Sequence, residues 1–170
     1  MIAPRLETDR LVLRHHVMAD FEPLYALFAS QRARFMDGPF SAKQMWYWIA
    51  SEVGSWSLMG FGSWGIERRV DGAFVGQMGI NKPHHFPEAE IGWVVLEQHE
   101  GHGFASEAAH AALNWAWSKD HDTLVSYIDR DNARSIALAK RLGAVEDPDA
   151  PLPEGDDPSA TVVYRHRRAA

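Results

Sequence analysis

Residues 91–108 change their periodicity in mid-course, and this limits the folds open to the chain. The apolar run Ile91-Gly92-Trp93-Val94-Val95-Leu96 reads as a strand. It runs into Gln98-His99-Glu100-Gly101-His102-Gly103-Phe104-Ala105-Ser106-Glu107-Ala108, where a glycine-punctuated turn opens an alanine-rich helical pattern. A strand that turns tightly into a helix aims free backbone N–H groups and the positive end of a helix dipole at one spot, which suits a phosphate. Gly101 and Gly103 let the backbone approach an anion with no Cβ in between. The dinucleotide fingerprint fits less well, because its third glycine would fall at Ser106. The nucleoside-triphosphate loop also fits less well, since Gly103 is followed by Phe and Ala rather than Lys and Ser or Thr. The alternative is an ordinary tight connection with no ligand.

The rest of the chain is read for what surrounds that turn. Arg10-Leu11-Val12-Leu13-Arg14 makes a first strand, and Asp20 is placed to cap a helix carrying Phe21, Leu24, Tyr25 and Phe28. Asp37-Gly38-Pro39 is a turn, and Ser41 caps a second helix with Met45, Trp46, Trp48, Ile49 and Val53. Strands are expected over 61–67 and 74–80, joined by a hairpin at Val70-Asp71-Gly72, and again over 89–96. A helix over 104–118 carries Ala105, Ala108, Ala109, Ala112 and Ala116 on one side, small enough for close packing on a sheet. A strand over 124–128 and a helix over 132–142, closed by Gly143, follow. The acidic stretch 147–158 reads as a loop and 161–165 as the last strand. With no repeat or linker, residues 1–170 read as a single α/β (α+β) domain with a mixed, mostly antiparallel central sheet flanked by helices.

Composition removes several functions. The chain has 170 residues and no cysteine, so a disulfide, a thiolate metal site and a cysteine nucleophile are ruled out. Its net charge of −6 argues against nucleic acid as a partner, and Arg165-His166-Arg167-Arg168 reads as the solvated end of a strand. It contains no run of about 18 apolar residues, and the N-terminal stretch lacks the apolar core of a signal peptide, so no membrane association and a cytoplasmic setting are expected. His99-Glu100-Gly101-His102 brings its second histidine too early for the zinc helix pattern, and His15-His16 and His84-His85 point apart if extended, so no metal is expected.

The pattern Gln98-x-x-Gly101-x-Gly103 between strand and helix resembles the acetyl-CoA signature of the GNAT superfamily of N-acetyltransferases. Three further stretches carry the same resemblance. Asp131-Asn132-Ala133-Arg134-Ser135, with the helix to Gly143-Ala144, is similar to the superfamily's second conserved element. Arg5-Leu6-Glu7-Thr8-Asp9-Arg10-Leu11-Val12-Leu13-Arg14 and Glu90-Ile91-Gly92-Trp93 resemble its ribosomal-protein N-terminal acetyltransferase-like branch. The resemblance implies an acyl-CoA N-acyltransferase (GNAT) fold whose sheet splays beside the strand before the glycines. Pantetheine would then pair with the edge at Val94, Val95 and Leu96. The pyrophosphate would sit on the amides around Gln98, Gly101, His102, Gly103, Phe104, Ala105 and Ser106, with Asn132 and Ser135 beside the cofactor arm.

Acetyl transfer to an amine needs a base, an oxyanion donor and an acid for the leaving thiolate. Glu90, at the start of the key strand, is the candidate base, acting by contact or through water; His84 and His85 are alternatives. A backbone N–H of Val94 or Val95 is the candidate oxyanion donor. Many superfamily members use a tyrosine acid after the second motif, but this chain has none between Gly143 and Tyr164, which leaves Ser135 and Tyr127. Glu107 reads as a structural first-turn acid, Trp46, Trp48, Trp56 and Trp64 as core or groove wall, and the acidic loop as solvated. The expected function is transfer of acetyl from acetyl-CoA to a primary amine, either a protein N-terminus or a small amine, by direct attack. The alternative is a non-catalytic acyl-CoA-binding module. Pairing by a sheet edge or helix face would give a homodimer.

Overall fold

The computed structural model describes residues 2–168. Among these, eight strands form one sheet; numbered along the chain, they lie in the order 1-2-3-4-5-6-8-7. Strands β1 (Leu6–Glu7) and β2 (Leu11–Arg14) lead to helices α1 (Phe21–Phe28) and α2 (Ala42–Met59). Three antiparallel strands follow, β3 (Ser63–Arg68), β4 (Phe74–Asn81) and β5 (Glu90–Val95). Helix α3 (Phe104–Trp117), strand β6 (Thr123–Asp129), helix α4 (Ala133–Arg141) and the strands β7 (Val145–Glu146) and β8 (Thr161–Arg167) complete the chain. The mixed, mostly antiparallel sheet expected from the sequence is present, with two-residue strands β1 and β7 in addition; both are too short to show a period.

Two apolar layers cover the sheet. Ala108, Ala109, Ala112 and Ala116 of α3 lie on Ile66, Met78, Ile80 and Ile91. Their methyl side chains bring helix and sheet close. Trp56, Trp64 and Trp115 form an edge-to-face cluster in that layer, with ring centroids 4.8–5.4 Å apart. On the opposite face, Leu24, Phe28, Met45 and Ile49 of α1 and α2 pack with Val94 and Leu96. Trp48 tilts on Phe28 there, while Trp46 is exposed.

The helix ends follow the sequence with one exception. Ser41 and Gln44 form a reciprocal capping box at α2. Asn132 Oδ1 accepts from Ser135 N at α4. Asp20, expected to cap α1, makes no cap bond. Its carboxylate turns back to Arg14 Nη1 and Nη2 at 2.8 and 2.9 Å, His16 Nδ1 at 2.9 Å and the Val17 amide at 3.1 Å. An arginine within reach of a buried carboxylate is a stronger partner than a helix amide.

The only parallel pairing among the described residues is β5 with β6. It is confined to Glu90 opposite Val125. Beyond that point the strands part, and a gap opens along the remainder of β5.

Candidate active site

The gap continues into a groove of about 610 Å³ that separates β5 and the start of α3 from the start of α4 and the loop after α1. Val94, Val95, Gly101, Gly103, Phe104, Ala105, Ser106, Asn132 and Ser135 all line it. Residues far apart in the chain and chosen for one ligand therefore share one cleft.

Gly101 and Gly103 have φ of +77° and +79°, the left-handed region where a side chain is costly. A Cβ at Gly101 would meet no protein atom within 4 Å. Helix α3 starts at Gly103 with no side chain on its first amides. Its free N–H groups thus face the groove without a protein acceptor.

Three expected groove residues stand elsewhere. Leu96 is buried under α1 and α2, and its amide donates to Val75 O at 2.9 Å, so it offers no free edge. Gln98 is exposed on the turn before the glycines, outside the groove lining. His102 also lies outside, its ring stacked on Phe104 at 5.5 Å and its Nδ1 3.3 Å from His99 O. The Leu96 bond also fixes the alternation along β5. Val94, opposite Gln77, turns its carbonyl toward β4, where it lies against Gly76. The peptide groups that face the gap are those of Trp93 and Val95, so of the two expected donors Val95 alone, with the unpredicted Trp93, offers an N–H there.

The sequence reading missed the groove's positive charge. Arg32 and Arg34, from the loop after α1, and Arg134 and Arg141, from α4, line it together with the single carboxylate Glu100. Glu100 is bonded from both walls, by Arg32 and by Arg134 at 2.7 Å. Arg134 and Arg141 sit at a helical spacing of seven, which puts them on one face of α4; Arg32 and Arg34 carry no periodic signal. Glu107 bonds Thr8 Oγ1 at 2.6 Å and Arg10 at 2.7 Å, tying α3 to the β1–β2 turn.

Glu90 lies where β5 and β6 meet, half-buried on the face covered by α1 and α2. Burial, then the nearby Glu52 carboxylate, push it up to about 8, against a hydrogen bond from the Tyr127 backbone. Tyr127 follows Val125 by two residues and so shares this face. Burial and the Glu88 carboxylate push its hydroxyl up to about 12, against a hydrogen bond from the Glu88 backbone. Tyr164 is buried among Ile128, Ala139 and Val162, in the layer beside α4. His84 and His85 are exposed, and His85 O accepts from the Glu154 amide at 3.0 Å. The acidic loop is therefore tied by its backbone to the loop before β5, while Asp149, Asp156 and Asp157 stay exposed as expected. Asp147 holds it at the other end, bonding Arg165 at 2.5 Å.

The model of the acetyltransferase (GNAT) domain matches residues 10–145. The crystal structure of an acetyltransferase from Agrobacterium tumefaciens str. C58 is 38% identical, with a TM-score of 0.92 over 99% of this chain and 96% of that one. The uncharacterized N-acetyltransferase YoaA of Bacillus subtilis (strain 168) is 28% identical over 145 residues, 82% of each chain. The ribosomal L7/L12 alpha-N-protein acetyltransferase RimL, in complex with coenzyme A, shares the fold at 20% identity, with a TM-score of 0.74 over 96% of this chain and 98% of that one. An α/β scaffold with its sheet parted beside a glycine-led helix is that of acyl-CoA acyltransferases. The chain belongs to the GNAT family of acetyltransferases, enzymes that draw on acetyl-CoA.

Proposed function

We propose that this protein is an N-acetyltransferase that moves acetyl from acetyl-CoA to a primary amine by direct attack, with Glu90 as the base. One observation carries the reading. The uncapped start of α3, the two left-handed glycines and the unpaired edge of β5 face one groove lined by four arginines. That combination suits a long ligand with phosphates at one end and an amide-bearing arm at the other. The amides of residues 101–105 would hold the pyrophosphate, and the Trp93 and Val95 peptides the pantetheine arm. Asn132 flanks that arm, although its Oδ1 already caps α4. The bound thioester supplies an acyl carbon activated for attack by nitrogen.

The residues around it divide the work. Glu90 stands three residues before Trp93, about 10 Å at roughly 3.3 Å per residue, so it takes the ammonium proton through water. The amine lone pair then forms the N–C bond, the C–S bond breaks, and its electrons leave on sulfur. Val95 N–H faces the developing oxyanion. Ser135, on the groove wall, would protonate the thiolate, with Tyr127 the alternative donor on the Glu90 side. No cysteine is available to carry the acetyl group, in keeping with direct transfer.

The acceptor is a protein N-terminus or a small amine; the fold shared with RimL supports the former only as a starting panel member. Calorimetric titration with acetyl-CoA tests the cofactor half. Saturable one-to-one binding, lost in the Gly101→Asp, Gly103→Asp variant, is expected; no binding by the native protein refutes it. Release of free thiol with a panel of amines then separates an enzyme from a module that only binds acyl-CoA. For the base, kcat/KM rises with pH to a plateau above about 8, the value to which Glu90 is pushed. Glu90→Gln lowers it and removes that limb, while an unchanged profile excludes Glu90.

A further inference from the structure

The face of the sheet around Glu90 is unusual in what it lacks. Gly79 of β4 is the register partner of both Ser63 of β3 and Gly92 of β5. Paired positions in an antiparallel sheet have Cβ atoms about 5 Å apart. A Cβ on Gly79 would lie 3.4 Å from Glu52 Oε2, and one on Gly92 would lie 3.3 Å from Glu90 Oε1. The two carboxylates therefore lean over neighbouring glycines, one from α2 and the other from β5. A side chain at position 79 would also meet Ser63 Oγ at 2.3 Å and Asn81 Nδ2 at 2.8 Å, so only glycine leaves the arrangement intact.

Glu52 is 8% exposed, an unusual place for a carboxylate in the middle of a helix. Ser63 Oγ, Asn81 Nδ2 at 2.8 Å and Gln77 Nε2 at 3.1 Å all donate to its Oε2. Asn81 is itself the register partner of Glu90. Three polar atoms on or beside this face are buried without a partner, namely Gln77 Oε1, Asn81 Oδ1 and His16 Nε2. A buried polar cluster left partly unsatisfied is costly, and one placed beside a reactive carboxylate is a candidate for function.

We propose that Glu52 is a positioning residue for Glu90, its carboxylate held over Gly79 beside the Glu90 carboxylate over Gly92, so that the pair takes up the proton the amine must lose. This rests on the reading of Glu90 as the base. Two carboxylates set side by side on one sheet face do not both ionise readily, so a charge on Glu52 makes Glu90 the stronger base. Burial raises Glu52, against the bonds from Ser63 and Asn81 and the charge of His16. The other groups facing the pair are Asp156, from the acidic loop beside Asp37 and His85, and Tyr127, from β6. Glu88 is neutralised by Arg165, and His16 is held by Asp20, which Arg14 neutralises.

The test compares pH profiles of kcat/KM for the native enzyme, Glu52→Gln and Glu52→Asp, with the best amine of the panel. Removing the charge should move the basic limb down by about one unit, whereas Glu52→Asp should leave it near the native position. A purely structural role would lower kcat at every pH and leave the limb unmoved, and that result overturns the proposal. Should Glu52→Gln not fold, Ser63→Ala serves, because losing its bond weakens the Glu52 charge and shifts the limb the same way. Glu90→Gln distinguishes the failures. If that variant keeps the limb, Glu90 is not the base; if it loses the limb and Glu52→Gln does not shift it, only the pairing falls.

Discussion

Two glycines in this protein differ only in where they stand, and that makes a controlled experiment. Gly60 ends α2 and Gly101 begins the groove loop, with φ of +78° and +77°. At both, a Cβ would meet nothing within 4 Å. An alanine at either position therefore costs only the left-handed conformation, about 1–2 kcal/mol, less about 0.5 kcal/mol regained from the stiffer unfolded chain. Both variants should lose about 1 kcal/mol of stability, or roughly 2–4 °C in Tm for a chain of this size. Their ligand binding should separate. The strain is present in the free and bound forms alike and cancels from affinity. In Gly101→Ala, however, the methyl enters the space assigned to the pyrophosphate and displaces at least one charge-assisted hydrogen bond, about 1.5–3 kcal/mol. The Kd for acetyl-CoA should rise at least about tenfold, while Gly60→Ala binds as the native protein does. Thermal melts paired with calorimetric titrations give both numbers. Equal acetyl-CoA affinity in the two variants, at equal Tm loss, would refute the assignment of the phosphates to this loop.

Three further outcomes follow from the charges. Asp20→Asn leaves Arg14 and His16 without their shared buried partner, with Glu67 and the His15 carbonyl remaining on Arg14. We expect a loss of roughly 3 kcal/mol by urea denaturation, and a loss under 1 kcal/mol would mean the cluster is replaceable. His166, buried against Ser126, is pushed by burial down to about 4. Its folded value lies below the unfolded one near 6.5, so the unfolded chain gains the proton first and stability falls as pH drops from about 6.5 toward 4. His166→Gln should lessen that fall by about 1–2 kcal/mol between pH 7 and 5; an acid limb of native steepness would show that the other histidines set it. Glu100→Gln removes the carboxylate that occupies Arg32 and Arg134. Acetyl-CoA should bind about two- to threefold more tightly at low salt, with the gain lost at high salt. Weaker binding would mean that Glu100 positions the two arginines instead.

The parts of this fold that were legible in the sequence are those decided within a few residues. The Ser41 cap of α2 and the glycines 101, 103 and 143 depend on local backbone demands, and the chain states them directly. What stayed hidden depends on register. Nothing in the run 91–96 says that Leu96 spends its amide on Val75, or that Val94 turns its carbonyl to β4 while Trp93 and Val95 face the gap. Those follow from the pairing of two strands whose offset no single segment encodes. Asp20 shows the same limit from the other side. Its local context reads as a cap, and a guanidinium on a neighbouring strand overrides it.

Glu52 is the harder case, because its local signal points away from a role. It sits in α2 among Trp48, Ile49, Val53 and Trp56, and no motif brings it next to Glu90. Three strands supply its surroundings, Ser63 from β3, Gln77 and Asn81 from β4 and Glu90 from β5, and the glycines 79 and 92 supply the space. In sequence those glycines look like flaws in strands that want β-branched residues. In the sheet they are opposite one another, at the end of β5 where its partner β6 leaves. The same parting of strands that frees the Trp93 and Val95 peptides for a ligand arm therefore also sets Glu90 at its apex, beneath a carboxylate anchored from the helix above.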